Sequence, residues 1–244
     1  MTTQHPAYEA RIADFGHMDQ FDATSAKAGT STIPPLDGVI LKVCQGIDAP
    51  DPRFSARWVA STKVGLWVSA YQFGTDMHPG EEQWADFKGR LDAACVLTHR
   101  DPKTVRCWLD RESNGGSIMA ADKVRAWLAA GKAAGYLVGV YGGLSQMAGT
   151  YNTATDPVGD YDAWVAAYDY TWEAINAHPP KAWAGKNTPW FRMFQYSDGA
   201  QHHALASEWK LSYEVAGCGT PDLSVFVGTP DEARAYFCDG AVSS

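Results

Sequence analysis

The chain has 244 residues, 45% of them hydrophobic, enough to bury one large core. Its formal net charge of −8 excludes a phosphate-binding surface of clustered Lys and Arg, and with it a nucleic-acid partner. No apolar run approaches the roughly 20 residues needed to cross a bilayer, so no membrane insertion is expected. The start, Met1–Ala10, is a polar extension with Pro6 and Glu9. It lacks the basic end and apolar stretch of a secretory leader.

The predicted elements alternate short apolar runs with helical segments, the pattern of an α/β fold with a parallel sheet. Arg11–Phe15 is a short run ending on Asp14. Gly38–Cys44 (GVILKVC) is β-branched and reads as a buried strand that closes on Gln45. Pro52–Lys63 has helical spacing, with Phe54, Trp58 and Val59 on one face. Leu66–Phe73 (LWVSAYQF) is the next strand, and Glu81–Leu97 the next helix. Val105–Leu109 (VRCWL) leads directly into Asp110. Ala120–Ala134 is an Ala-rich helix with Gly135 as its stop. Leu137–Tyr141 is a strand closed by two glycines. Beyond it Ala163–Tyr168, Phe191–Tyr196 and Asp222–Val227 read as strands without long helices between them, and Pro230–Phe237 as a closing helix.

Eight strands and about five helices predict a single irregular barrel of the (β/α)₈ kind with a degenerate second half. It would occupy residues 11–240 and leave 241–244 as a tail. No linker, repeat or low-complexity segment interrupts it.

In such a barrel the site lies at the C-terminal strand ends. Those ends carry Asp14, Gln45, Tyr71, Gln72, Asp110, Glu112, Tyr141, Tyr168, Gln195 and Tyr196. Carboxylates, amides and aromatic rings together suit a carbohydrate. In an extended chain Asp110 and Glu112 face the same way, with Cβ atoms about 7 Å apart. Glycoside hydrolysis needs a proton donor and a carboxylate that supports positive charge at the sugar carbon. Mutual repulsion raises the pKa of one member of such a pair and keeps it an acid. A D-x-E triplet alone is more often a surface turn; its position straight after an apolar strand favours chemistry. Asp14 alone would read as a turn former, and His17 as either a site residue or a loop histidine. Arg111 alternates away from the pair. Trp58, Trp84 and Trp127, on helices, read as packing.

The five cysteines form no CxxC pair and no zinc spacing. Cys44 and Cys107 sit in apolar runs as small core residues, and sequence alone cannot bring Cys218 and Cys238 within bonding distance. His202 and His203 read as a solvated loop pair. No metal or other cofactor is expected.

Taken together the segments resemble glycoside hydrolase family 25, the Chalaropsis-type lysozymes that include many phage endolysins. The resemblance runs from Arg11 to Val227 and rests on Asp14-Phe15-Gly16-His17, GVILKVCQG (Gly38–Gly46), SAYQF (Ser69–Phe73), LDRES (Leu109–Ser113), WVAAY (Trp164–Tyr168), FQYSDG (Phe194–Gly199) and PDLSVF (Pro221–Phe226), in that order. It implies an eight-stranded barrel with a glycan groove, and cleavage of the β-1,4 bond between N-acetylmuramic acid and N-acetylglucosamine in bacterial peptidoglycan. Carried over by position, Glu112 would donate the proton. Asp110 would orient or stabilise the acetamido sugar or act as base, and Asp14 and Asp222 would complete the acidic cluster. Asp222 begins its strand, so it reaches the active face only if that strand runs antiparallel, as the family implies.

Tyr71, Tyr141, Tyr168, Gln195, Tyr196, Gln72 and Gln45 are the expected substrate contacts. The chain departs from the family pattern at Gln45, where Glu is common, and at Gln72, where His is common. A monomeric phage or prophage lysin is expected, held in the host cytoplasm and released to the wall at lysis, or else extracellular. The competing reading is a wall-binding barrel of a virion or attachment system that does not cut; Gln45 and Gln72 are its support. A chitin-type barrel ranks below both, because its longer acidic run before the Glu is absent.

Overall fold

The computed structural model describes residues 10–113, 115–168, 170, 172–177, 179–186, 190–199 and 212–239. Residues 1–9 of the expected extension Met1–Ala10, the tail at 241–244 and the His202–His203 pair lie outside the described residues, while Ala10 itself is buried with the barrel core.

Eight strands close a barrel: β1 (Arg11–Phe15), β2 (Gly38–Gln45), β3 (Trp67–Phe73), β4 (Arg106–Asp110), β5 (Leu137–Gly143), β6 (Asp162–Ala166), β7 (Met193–Asp198) and β8 (Asp222–Phe226). Neighbours from β1 to β7 are parallel. The last strand, β8, inserts between β7 and β1 and is antiparallel to both. This is the α/β barrel read from the sequence, with the reversed final strand that the resemblance implied. A two-residue arm, Ala49–Pro50, folds back on the end of β2.

Helices α1 (Ala23–Ala28), α2 (Phe54–Lys63), α3 (Gly80–Thr98) and α4 (Ala121–Ala133) pack outside the first half of the barrel. Asp22 caps α1 by accepting from the N–H groups of Thr24 and Ser25. The i,i+4 pairs Asp86–Arg90 and Lys88–Asp92 brace the half-buried flanks of α3. Gly135 follows α4 at a positive φ of 80°, the backbone that ends a helix most cheaply in glycine. In the second half α5 (Leu144–Thr150) and α6 (Trp172–Ala177) are helices of two turns or fewer, which weak periodicity hid. α7 (Pro230–Arg234) continues as a π-helical turn through Asp239.

Strand alternation divides the side chains into two cores. Outward residues such as Val39, Leu41, Ala70, Leu109, Val140 and Val165 pack with Trp58, Trp84, Phe87 and Trp127 of the helices. Those tryptophans are packing residues, as their helical positions implied. Inward residues Ile12, Ile40, Trp108, Tyr141, Trp164, Met193 and Phe226 fill the barrel. Trp108 and Trp164 meet edge to face at 5.7 Å. Gly139 makes room for them, since a Cβ there would lie 2.5 Å from the Trp108 ring.

The floor is sealed by the final helical turn. Phe237 stacks on Trp67 at 6.0 Å, and the Arg106 guanidinium sits 3.8 Å from the centre of the Tyr236 ring while pairing with Asp162 at 2.6 Å. With the floor closed by rings, the polar inward residues at the other end are the part of the barrel interior, among the described residues, that meets the cleft. Cys218 receives the Asp22 N–H at 3.3 Å, whereas Cys238 lies in the electrostatic field of Arg100, with Cys95 and Cys107. The two thiols thus sit in separate surroundings, which argues against their pairing.

Candidate active site

Alternation that turns Ile12 inward also turns Asp14 inward, and likewise Lys42 after Ile40, Asp110 after Trp108 and Gln195 after Met193. Asp222 joins them because β8 is reversed: its Cα is the direct partner of Asp14 on β1. It is also the partner of Asp198 on β7. Four carboxyl groups read from the sequence, Asp14, Asp110, Glu112 and Asp222, therefore share one mouth.

Gln195 is the hub. Its Nε2 donates to Asp14 Oδ2 at 3.0 Å and to Asp222 Oδ2 at 3.4 Å. Its Oε1 accepts from the hydroxyls of Tyr141 at 2.6 Å and Tyr168 at 2.5 Å. Two donors and two acceptor positions are all that a carboxamide has. Gln195, 1% exposed, consequently has none left for a sugar. It was expected to touch substrate; it organises the groups that can.

Burial is the main force on the acids. It raises Asp14 well above the ordinary carboxyl range, with the charges of Asp222, Asp110 and Asp19 adding to it and the Gln195 bond opposing it. Asp110 is likewise raised by burial and then by Glu112, against a lowering from Lys42. Asp222 is pushed up to about 7 by burial, then by Asp19, Asp198 and Glu112. Glu112 is raised by burial, and the Tyr141 hydroxyl offsets part of this. That offset is weak. The hydroxyl is 3.3 Å from Glu112 Oε1 but only 2.6 Å from Gln195 Oε1, and a phenol has one proton to give. Four acids around one lysine cannot all ionise near neutral pH, so the cluster retains protons. Asp110 Oδ1 is buried without a hydrogen-bond partner among the described residues, an acceptor left unmet inside the site.

The cleft continues past the acids. A cavity of about 230 Å³ is lined by Asp14, Asp19, Lys42, Tyr71 and Asp222 beneath the loop that carries His17 and Met18. A second, of about 170 Å³, runs from Lys42 and Gln45 to Pro50–Pro52. Lys42 and His17 line both. Tyr71 lines the first of these cavities and Gln45 the second. Tyr141 and Tyr168 are tied to the acids through Gln195, and Tyr141 also donates to Glu112 at 3.3 Å.

Two expected contacts are elsewhere. Gln72 is wholly buried on the outer side of β3: its Oε1 accepts from Trp127 Nε1 at 2.6 Å and its Nε2 donates to the Gly46 carbonyl at 2.8 Å. Tyr196 is also wholly buried in the outer core, its hydroxyl donating to the Ser212 carbonyl at 3.2 Å. Each follows an inward residue by one position, so the pleat turns it away. Arg111 is outward too, donating to the Met119 carbonyl at 2.9 Å and to Thr150 Oγ1 at 3.1 Å.

Sequence reasoning passed over Lys42, Asp19 and Asp198. For Lys42 a signal existed, since it is the one charge in GVILKVC. For Asp19, in an irregular loop, there was none.

The sequence model of glycosyl hydrolases family 25 matches residues 20–204, a span that holds Asp110 and Glu112 but ends short of β1 and β8. No curated protein sequence matches the chain. Solved structures share the fold at low identity. A bacterial lysozyme from Streptomyces coelicolor is 20% identical with a TM-score of 0.65, covering 96% of this chain and 100% of its own. A muramidase from Trichobolus zukalii is 17% identical with a TM-score of 0.65, over 94% and 99%. The catalytic domain of an endolysin from bacteriophage P40 of Listeria monocytogenes is 13% identical with a TM-score of 0.67, over 96% and 99%.

Proposed function

The chain belongs to glycosyl hydrolase family 25 and is a lysozyme-type glycoside hydrolase acting on peptidoglycan, and from that premise we propose that it is an N-acetylmuramidase whose proton donor is Glu112. It cleaves the β-1,4 bond between N-acetylmuramic acid and N-acetylglucosamine. The observation that carries this reading is the acid cluster at the barrel mouth, in which Glu112 is half-buried and held towards its protonated form by burial.

Glu112 gives its proton to the glycosidic oxygen as the bond to the sugar carbon breaks. Asp110, with an unpartnered Oδ1, accepts the acetamido N–H and holds that group beside the reacting carbon. Asp14 and Asp222, tied together by Gln195, supply the negative charge that stabilises the oxocarbenium-like transition state. Water completes the hydrolysis and restores the proton. Tyr71, Lys42 and Gln45 line the path of the glycan. The catalytic unit is the barrel of residues 11–240, acting as a monomer. A phage or prophage lysin freed to the wall at lysis is the biological setting we propose, supported by the fold shared with a phage endolysin domain.

The test compares release of reducing ends from purified peptidoglycan by the wild type and by Glu112→Gln, which keeps the shape and removes the transferable proton. Muramic-acid reducing ends from the wild type and a loss of about 10²–10⁴-fold in the variant are expected. A wild type that binds walls but releases no ends would sink the catalytic reading in favour of a binding barrel. Gln72 no longer supports that alternative, because its amide is used inside the core.

A further inference from the structure

The loop between β1 and α1 is held more firmly than its irregular sequence implies. Asp19 N–H donates to the Gly16 carbonyl at 3.1 Å, and Gly16 N–H donates to Asp19 Oδ2 at 2.5 Å. The tetrapeptide from Gly16 to Asp19 is therefore a ring closed twice. From α2, Arg57 donates to the Gly16 carbonyl at 2.6 Å and to the Asp19 carbonyl at 2.5 Å, and Arg53 adds a third bond to Asp19 at 3.2 Å. Arg57 is itself buried and covers the Phe21 ring at 5.6 Å. Charge-assisted bonds of this kind are stronger than neutral ones, and an arginine fork holds two acceptors in one geometry.

The clamp fixes a carboxylate in the cavity that Asp14 and Asp222 also line. We propose that Asp19 is a fifth acid of the site, a positioning residue that Arg57 holds against the Asp14–Asp222 pair and whose charge keeps a proton on that pair while the enzyme works. The inference rests on the hydrolase reading given above.

The groups around the pair can be named element by element. Asp19 and His17 come from the loop, Lys42 from β2, Tyr71 from β3, Asp110 and Glu112 from the end of β4, Tyr141 from β5, Tyr168 beyond β6, and Gln195 and Asp198 from β7. The cations among them are the Arg53 and Arg57 guanidinium groups that hold the Asp19 carbonyl, and Lys42, whose charge favours ionisation of Asp110. Asp19 acts against Lys42, since its charge favours the protonated forms of Asp14 and Asp222.

Asp19→Asn is the direct test, because the amide oxygen can still accept the Gly16 N–H while the charge is gone. Reducing-end release from purified peptidoglycan is measured from pH 4 to 9 for the wild type, Asp19→Asn, Asp19→Glu and Arg57→Lys, with the Tm of each to check folding. Removing a negative charge makes neighbouring acids ionise more readily, so the alkaline limb of kcat/KM moves to lower pH in Asp19→Asn, by about half a unit to one unit. Asp19→Glu keeps the limb near the wild-type position. Arg57→Lys, able to hold only part of the loop, shifts it in the same direction by less. If the wild type is active and the Asp19→Asn limb superimposes on it, or the rate falls equally at every pH in both Asp19 variants, the inference fails and the hydrolase reading survives. If the wild type releases no reducing ends at any pH, both fall together.

Discussion

Asp14 and Asp222 are direct partners across antiparallel strands, and a single side-chain amide, that of Gln195, donates to both. Two acids from opposite ends of the chain are thus joined at the seam where the barrel closes. The reversed strand β8 makes this possible, because a parallel strand would carry its first residue to the floor.

The seam has a measurable cost in stability. Asp222 has a folded-state value of about 7 against an ordinary 3.8, so between those limits the folded protein binds a proton that the unfolded chain has released. This group's contribution is fully present below about pH 4 and is lost as pH rises through about 7. Asp222→Asn removes that slope. At pH 8 the variant is expected to be more stable by about 1–3 kcal/mol, with each kcal/mol worth about 2–4 °C in a domain of this size, and at pH 4 it gains nothing. Thermal melts at the two pH values decide it, and an equal gain at both would refute the assignment.

Gln195→Leu should be costly in both stability and rate. The substitution takes away the Gln195 bonds of two phenols and two carboxyl groups inside the barrel, and losing a buried hydrogen-bond partner costs about 1–3 kcal/mol. Urea unfolding is expected to show a loss of at least one such penalty, and reducing-end release a fall in kcat larger than any change in KM. A variant with a higher KM and unchanged kcat would mean that Gln195 binds sugar directly.

The two glutamines at departures from the family pattern should behave oppositely. Gln72→Leu strands the buried Trp127 N–H and is expected to lower stability by about 1–3 kcal/mol while leaving KM near the wild-type value. Gln45→Ala, beside Lys42 in the groove, is expected to leave the Tm unchanged and raise KM. Paired melts and steady-state kinetics separate them, and reversed behaviour would contradict the outward placement of Gln72.

The eight strands and the Asp110–Glu112 pair were legible in the sequence, because short apolar runs and a carboxylate at the end of one are local properties of the chain. The facing of Gln72 and Tyr196 was not. Each adjoins another plausible site residue, and in a pleated strand only one of two neighbours can face inward. The choice falls to barrel packing, which takes Tyr71 and Gln195 inside and sends the next residue to the helices. Lys42 was hidden for a related reason: an apolar run announces burial without saying which residue meets the cleft.

Reading along the chain was enough to pick out four acids, Asp14, Asp110, Glu112 and Asp222, and the strands that carry them. Tertiary structure alone decided their company: Asp222 beside Asp14, Gln195 as the link between them, and Asp19 brought to their edge by Arg57 from another element. The physical reason is that each is a contact between segments far apart in the chain, made only when β8 closes the barrel and α2 docks against the first loop. Burial, which raises the acids' proton affinity, comes into being at the same moment.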